Sequence, residues 1–254
     1  MSLAACAALV QRGDPDRFLA TMAAPPAARR VLFPLYAFNL EVARAPWVTQ
    51  EPMIAEMRLQ WWRDALAEIA DGKPVRRHEV TTPLAQAVSA GIAAGLDDLV
   101  AARGWDIGTA PFEDDDALDR YISATSARLL WAAALSLGPA DETVLEDLGY
   151  AQGLANWLRA VPELAGRGRI PLLDSRPAGV RRLAARGLDR LQRARARRAD
   201  VSAAARPALL AAWQTGTVLR TAARAPHAVA DGRLAPSPAR ARLSLMLRAA
   251  TGRW

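Results

Sequence analysis

Two interleaved rows of side chains run through residues 141–166, and they constrain this chain more than any other feature. Val144, Leu148, Ala151, Ala155 and Leu158 recur at spacings of four, three, four and three. Gln152, Asn156, Arg159 and Glu163 repeat that rhythm one position on, at four, three and four. A strand would alternate every second residue. An α-helix turns about 100° per residue, so the apolar row faces a core and the polar row lies roughly 90° around from it. Such a polar row can line a cavity. It can equally be an exposed stripe in which Arg159 and Glu163 pair at i,i+4. Periodicity leaves both open.

The rest of the chain favours helix as well. Ala, Leu and Arg dominate, while Val and Ile are sparse and never alternate. Val31, Leu35, Phe38 and Val42 mark one helix, preceded by "APPAARR" as a proline-opened start. Ile54, Met57, Trp61, Ala65 and Ile69 mark a second, stopped by "DGKP" at 71–74. Residues 82–103 read as a third, weakened by Gly91 and Gly95. After a loop at 104–116 a helix runs to about Leu137, and the next begins near Asp141. "RGRIPLLDSRPAG" breaks the pattern. A basic helix at 180–199 follows, with Leu183, Leu188 and Leu191 facing inward, and then one at 206–225. Ser237 as cap and Pro238 in the first turn start a last helix. No linker interrupts the 254 residues, which are long enough to bury a sizeable core. The expected fold is all-α: one helical domain over 1–254, of about eight to ten helices covering one another's apolar stripes.

Several chemistries are excluded. Serines and threonines are scattered and neither His78 nor His227 has a suggestive context, so no nucleophile–base pair, and no catalytic residue, is assigned. There is no Cys/His metal spacing and no Gly-rich phosphate loop. Cys6 is the single cysteine, which fits a reducing compartment. "LAAC" at 3–6 lacks the basic and apolar segments of a lipoprotein signal, and no run of about 18 apolar residues would span a membrane. The net charge of +7 is carried almost wholly by arginine, since Lys73 is the only lysine. That balance suits acidic partners, and the helices at 180–199 and 238–254 could meet an anionic membrane surface. The first of these has no interleaved aromatics for base stacking, which argues against nucleic acid. Asp97–Asp98 and Glu113–Asp116 read as structural acids, the second cluster at a helix start. Trp61 and Trp62 must point about 100° apart, one to the core and the other to a cavity or partner.

Two segments together resemble the squalene and phytoene synthases. "PPAARRVLFPLYAFNLEVARAPW" (25–47), with "MRLQWWRDALAEI" (57–69), is similar to the first signature region. "YAQGLANWLRAVPELAGRGRIPLL" (150–173) is similar to the second. The resemblance implies an isoprenoid-synthase-like helical domain with a central cavity. Active members condense two prenyl diphosphates head to head, and two Asp-rich motifs on facing helices hold Mg²⁺ ions that neutralise the leaving diphosphate. Carried over by position, Tyr36, Ala37 and Phe38 match the first motif, but Ala43, Arg44 and Trp47 stand at its acidic positions. Asn156, Arg159, Glu163, Arg169 and Ile170 match the second, while Ala160 and Leu164 replace its aspartates.

These departures are similar to the complex I assembly factor branch of the same family, as are "AFNLEVA", "MRLQWW", "YISATSARLL" and "WLRAVP". The branch implies a protein without cofactor or metal that helps mature respiratory complex I or binds an isoprenoid or lipid. It would work in the cytoplasm or at the inner membrane face. The other reading is an active prenyltransferase of isoprenoid biosynthesis, using Mg²⁺ and displaced ligands such as Glu41, Glu56, Asp64 or Glu163. The residues expected to form a ligand pocket are Tyr36, Asn39, Glu41, Arg58, Gln60, Trp61, Gln152, Asn156, Arg159 and Glu163.

Overall fold

The computed structural model describes residues 2–254, and among them helices form throughout and no strand does. The chain opens with α1 (Leu3–Gly13) and α2 (Pro15–Ala23). Ser2 and Asp14 cap them, each accepting from a backbone N–H three residues on. Prolines also open α3 (Pro26–Arg44) and α4 (Pro52–Ala70), which are joined through a 3₁₀ turn at Ala45–Trp47.

The single helix expected over 82–103 is three: α5 (Thr81–Ala87), α6 (Ala90–Gly95) and α7 (Asp97–Ala102). Val88 adopts an extended conformation and the Ser89 hydroxyl caps α6 at Ile92 N–H, so the chain restarts there. The helix expected to end near Leu137 is also divided, into α8 (Asp115–Ile122) and α9 (Arg128–Leu135), by a π-helical turn at Ser123–Ala127. α10 (Glu142–Gly166) is capped by Asp141. α11 (Pro177–Ala196) is the basic helix, and the segment at 206–225 becomes α12 (Arg206–Leu209), a 3₁₀ turn and α13 (Thr215–Arg224). α14 (His227–Ala230) and α15 (Pro238–Thr251) complete the chain. Ser237 precedes α15 as expected, but its side chain makes no capping bond.

α10 occupies the middle, packed against α8, α9, α11, α13 and α14. Its seam faces inward throughout: Val144, Leu148, Ala151, Ala155 and Leu158 are all buried. Leu145, Leu148, Leu154 and Leu158 are each 0% exposed, and burying a leucine contributes ~2 kcal/mol. Gly149 and Gly153 let the π-helical turn sit directly on α10. A Cβ on Gly149 would lie 2.4 Å from Ala127 Cα, and one on Gly153 would lie 2.5 Å from Ser126 Cβ.

α4 sits in a different rotation from the one its sequence stripe predicts. Its buried face is Ala55, Leu59, Trp62, Ala65, Leu66 and Ile69; of the expected stripe Ala65 and Ile69 face inward, while Ile54 and Met57 are exposed. Apolar residues surround this helix, so periodicity alone does not select the inward side. Several arginines of α11 are also paired rather than free. Arg186 pairs with Asp115 and Asp119 of α8, and Arg190 and Arg193 both pair with the buried Asp147 of α10. Asp97 and Asp98 are bridged by Arg63 and Arg128, which gives them the structural role expected. No helix among the described residues is long and apolar enough to cross a membrane.

Candidate functional site

A cavity of about 850 Å³ opens beside α10, walled by the start of α2, the second half of α3 and the π-helical turn, with residues 211–218 closing it. The polar row of α10 lies along it: Gln152, Asn156, Arg159 and Glu163 are all lining residues. Asn39 of α3 faces them across the space, and so do Ala43, Arg44 and Trp47. Ala160 and Leu164 belong to the same wall. One face of each helix is therefore turned to the cavity. The i,i+4 recurrence that sequence shows as Asn156–Ala160–Leu164 becomes a continuous strip along it.

Half of the expected pocket residues lie elsewhere. Tyr36 is buried behind Arg17, whose guanidinium rests over its ring at 5.4 Å. Glu41 points away from the lining and pairs with Arg44 at 3.7 Å. Arg58 and Gln60 are on the exposed side of α4, and Gln60 Nε2 donates to Asp64 Oδ1 at 2.7 Å. Trp61 packs on the Arg76 guanidinium and the His78 ring at 5.1 and 5.3 Å, so neither tryptophan of the pair reaches the cavity. No residue of α4 lines the cavity, which is the common reason for Arg58, Gln60 and Trp61. Glu56 and Asp64 are exposed on the same helix.

The cavity's charges neutralise one another. Arg159 Nη1 donates to Asp16 Oδ2 at 2.9 Å, and Arg17 Nη1 donates to Asp14 Oδ2 at 3.0 Å. Glu163 accepts from Arg167 at 2.6 Å. Deeper in, Arg103 Nη1 donates to the Tyr121 oxygen at 2.7 Å, and the Tyr121 hydroxyl donates to Asp106 at 3.0 Å. Burial pushes the Tyr121 phenol well above its ordinary range against the pull of Arg103. It likewise pushes Tyr36 up to about 12, against Arg17. Both tyrosines therefore stay protonated as neutral donors at physiological pH. Every carboxylate of the lining, Asp14, Asp16, Asp106 and Glu163, is engaged by an arginine. No group of three His, Cys, Asp or Glu side chains suited to a metal ion comes together among the described residues.

Polar capacity remains elsewhere on the wall. Gln152 donates Nε2 to the Ala211 carbonyl at 2.9 Å. The Asn39 and Asn156 amides, by contrast, make no hydrogen bond among the described residues. Aromatic rings close one end. Trp157, Tyr121, Phe112 and Trp105 pack together, with Trp105 and Phe112 stacked at 4.0 Å. Arg169 lies over Trp105 at 4.6 Å and Trp47 at 5.4 Å, with its Nε and Nη1 buried and unpartnered.

Asp14, Asp16, Arg17, Arg103, Asp106 and Tyr121 were not among the sequence candidates. The "DPDR" helix start at 14–17 is a local signal for the first three. Nothing local says that this start meets Arg159, 143 residues away.

The family described as squalene/phytoene synthase matches residues 10–172. The chain is 33% identical over 178 residues to "NADH dehydrogenase (ubiquinone) complex I, assembly factor 6 homolog" of Drosophila melanogaster, covering 66% of this chain and 53% of the fly protein. It is 26% identical over 180 residues to complex I assembly factor 6 of Bos taurus, covering 65% and 51%. The chain thus spans about half the length of these curated relatives. Among solved structures it is similar to a dehydrosqualene synthase in complex with ligand, at TM-score 0.81 and 18% identity, over 98% of this chain and 95% of that one. It is also similar to squalene synthase HpnC from Alicyclobacillus acidocaldarius, at TM-score 0.70 and 17% identity, over 89% and 94%. At such identities the two structures establish the shared all-α isoprenoid synthase fold.

Proposed function

The chain belongs to the squalene/phytoene synthase family, and from that membership and the cavity we propose a factor in respiratory complex I assembly that keeps the family's fold without its metal-dependent chemistry. The observation that carries this is the make-up of the wall. Ala43, Trp47, Ala160 and Leu164 line the cavity where the family pattern calls for aspartates, and none of these side chains can bind Mg²⁺. The four carboxylates that do reach the cavity are each held by arginine. A diphosphate leaving as a multiply charged anion needs clustered oxygen ligands to carry its metal, and this donor set does not fit that need. No cofactor is part of this reading. The named relatives are complex I assembly factors, which supports complex I subunits as the partners.

The cavity itself supports a bound apolar ligand. Leu40, Ala43, Trp47, Ala160 and Leu164 form apolar wall, and Asn39 and Asn156 hold amides free to orient a polar head. An isoprenoid or a similar lipid tail fits along this apolar strip, with its polar head towards the amides and the paired charges that make up the rest of the lining. In this reading the protein works in the cytoplasm, at the inner membrane face.

Deletion of the gene in its native host, with assembled complex I measured by native electrophoresis, tests the role. Loss of the assembled complex is expected, and a normal amount would overturn it. The competing reading, a prenyltransferase, is decided by incubating purified protein with farnesyl or geranylgeranyl diphosphate and Mg²⁺. No condensation product is expected, and catalytic turnover would overturn the non-catalytic assignment.

A further inference from the structure

A second cavity, of about 570 Å³, lies outside the family-matched region, between the end of α11 and the face of α15. Five arginines line it: Arg195, Arg198, Arg240, Arg248 and Arg253. No carboxylate side chain is among its lining residues. Elsewhere arginines are widely paired with acids. Here none of the five forms an ion pair with a carboxylate side chain among the described residues, and neither does the neighbouring Arg220 of α13.

Their geometry leaves donors free. Arg195 Nε donates to the main-chain oxygen of Trp254 at 3.0 Å, and its Nη2 is buried without a partner. Arg248 Nε reaches Ser244 Oγ at 3.4 Å, and Arg198 Nε donates to the Arg195 carbonyl at 3.2 Å. Burial, then the charges of Arg248, Arg220 and Arg198, pull Arg195 down to about 10. Arg248 is lowered in the same way, first by burial and then by Arg220 and Arg198. With no carboxylate side chain in the lining to offset it, the cluster is strongly positive. A protein that gathers like charges without counter-charge leaves an electrostatic cost that a bound anion removes.

We propose that this cavity binds a phosphate-bearing anion through Arg195, Arg198 and Arg248. Guanidinium groups converging from different elements match a phosphate, which accepts several charge-assisted and bidentate bonds at once. The phosphate could come from a soluble diphosphate or a lipid headgroup. Leu243 and Leu247 also line the cavity, both 58% exposed, and Met246 beside them is 68% exposed.

The test uses the full chain in two arms. Inorganic pyrophosphate is titrated at constant ionic strength while thermal unfolding is followed, and flotation is measured with phosphatidylcholine vesicles with or without phosphatidylglycerol. The Arg195→Gln/Arg248→Gln variant is compared with Arg181→Gln/Arg224→Gln, which removes the same charge from exposed positions elsewhere. Stabilisation by pyrophosphate assigns a soluble source, and flotation that needs phosphatidylglycerol assigns a headgroup. Either supports the site if the first variant weakens it at least about tenfold (~1.4 kcal/mol) and the second does not. The first variant should fold at least as stably as the parent, since it relieves repulsion, and its far-UV spectrum checks this. No response in either arm, or equal weakening in both variants, overturns the proposal.

Discussion

Replacing Gly149 by alanine sets two physical effects against each other. In a helix interior Gly→Ala ordinarily stabilises by about 1 kcal/mol, because alanine has less backbone entropy to lose. At Gly149 the added Cβ would lie 2.4 Å from Ala127 Cα, 2.9 Å from its Cβ and 3.2 Å from its nitrogen. Carbon atoms in contact prefer about 3.5–4.0 Å, so the overlap exceeds an ångström. The atoms it meets are mainly backbone, in the π-helical turn, and do not rotate away. Overpacking of this kind costs ~1–3 kcal/mol or more, and the clash should win by ~1–2 kcal/mol. For a chain of this size each kcal/mol moves Tm by about 2–4 °C, so a fall of several degrees is expected. Gly91→Ala is the control: it lies in α6 with nothing within 4 Å of the added carbon, and should be neutral or slightly stabilising. Thermal and urea unfolding of both variants, with unchanged m-values, checks the pair. If Gly149→Ala raised Tm as Gly91→Ala does, the contact between α10 and the π-helical turn would be looser than described, and the cavity wall with it.

Two further predictions follow from the ion pairs and the buried phenols. Asp147→Asn should destabilise by ~2 kcal/mol, below the 3–5 kcal/mol of a fully buried pair, because the partner Arg193 is half exposed. Asp97→Asn, in a half-exposed pair with Arg63, should cost under ~1 kcal/mol; equal losses in denaturant melts would refute this ranking. Tyr36 titrates at about 12 when folded against 10 as a free side chain. Its raised pKa contributes stability that is fully present below pH 10 and lost as pH rises towards 12. Tm should therefore fall over that alkaline window, and Tyr36→Phe should flatten the fall; an unchanged slope would mean that Tyr36 is not the group responsible.

The apolar seam of α10 and the polar row beside it were legible in sequence, because both depend on one helix and its fixed 100° step. The same local logic places a helix start near Asp141 and others at the prolines. It fails where apolar residues surround a helix, as in α4, whose rotation is decided by the partners it finds. It also fails at Ser123–Ala127, where a π-helical turn forms inside an expected helix as α10 packs onto it through Gly149 and Gly153.

By itself, then, the sequence determined that this chain is all-α, and which residue types stand at the family's acidic positions. Those follow from local periodicity and from residue identity. Only the tertiary structure decided that Asp16 meets Arg159, that Arg103, Asp106 and Tyr121 close the same cavity, and that Arg58, Gln60 and Trp61 stay outside it. It also gathered Arg195, Arg198 and Arg248 at one unpaired site, while Arg186, Arg190 and Arg193 of the same basic stretch found acids. The physical reason is shared. A charge's role depends on what lies within a few ångströms, and its neighbours arrive from parts of the chain that no local pattern connects.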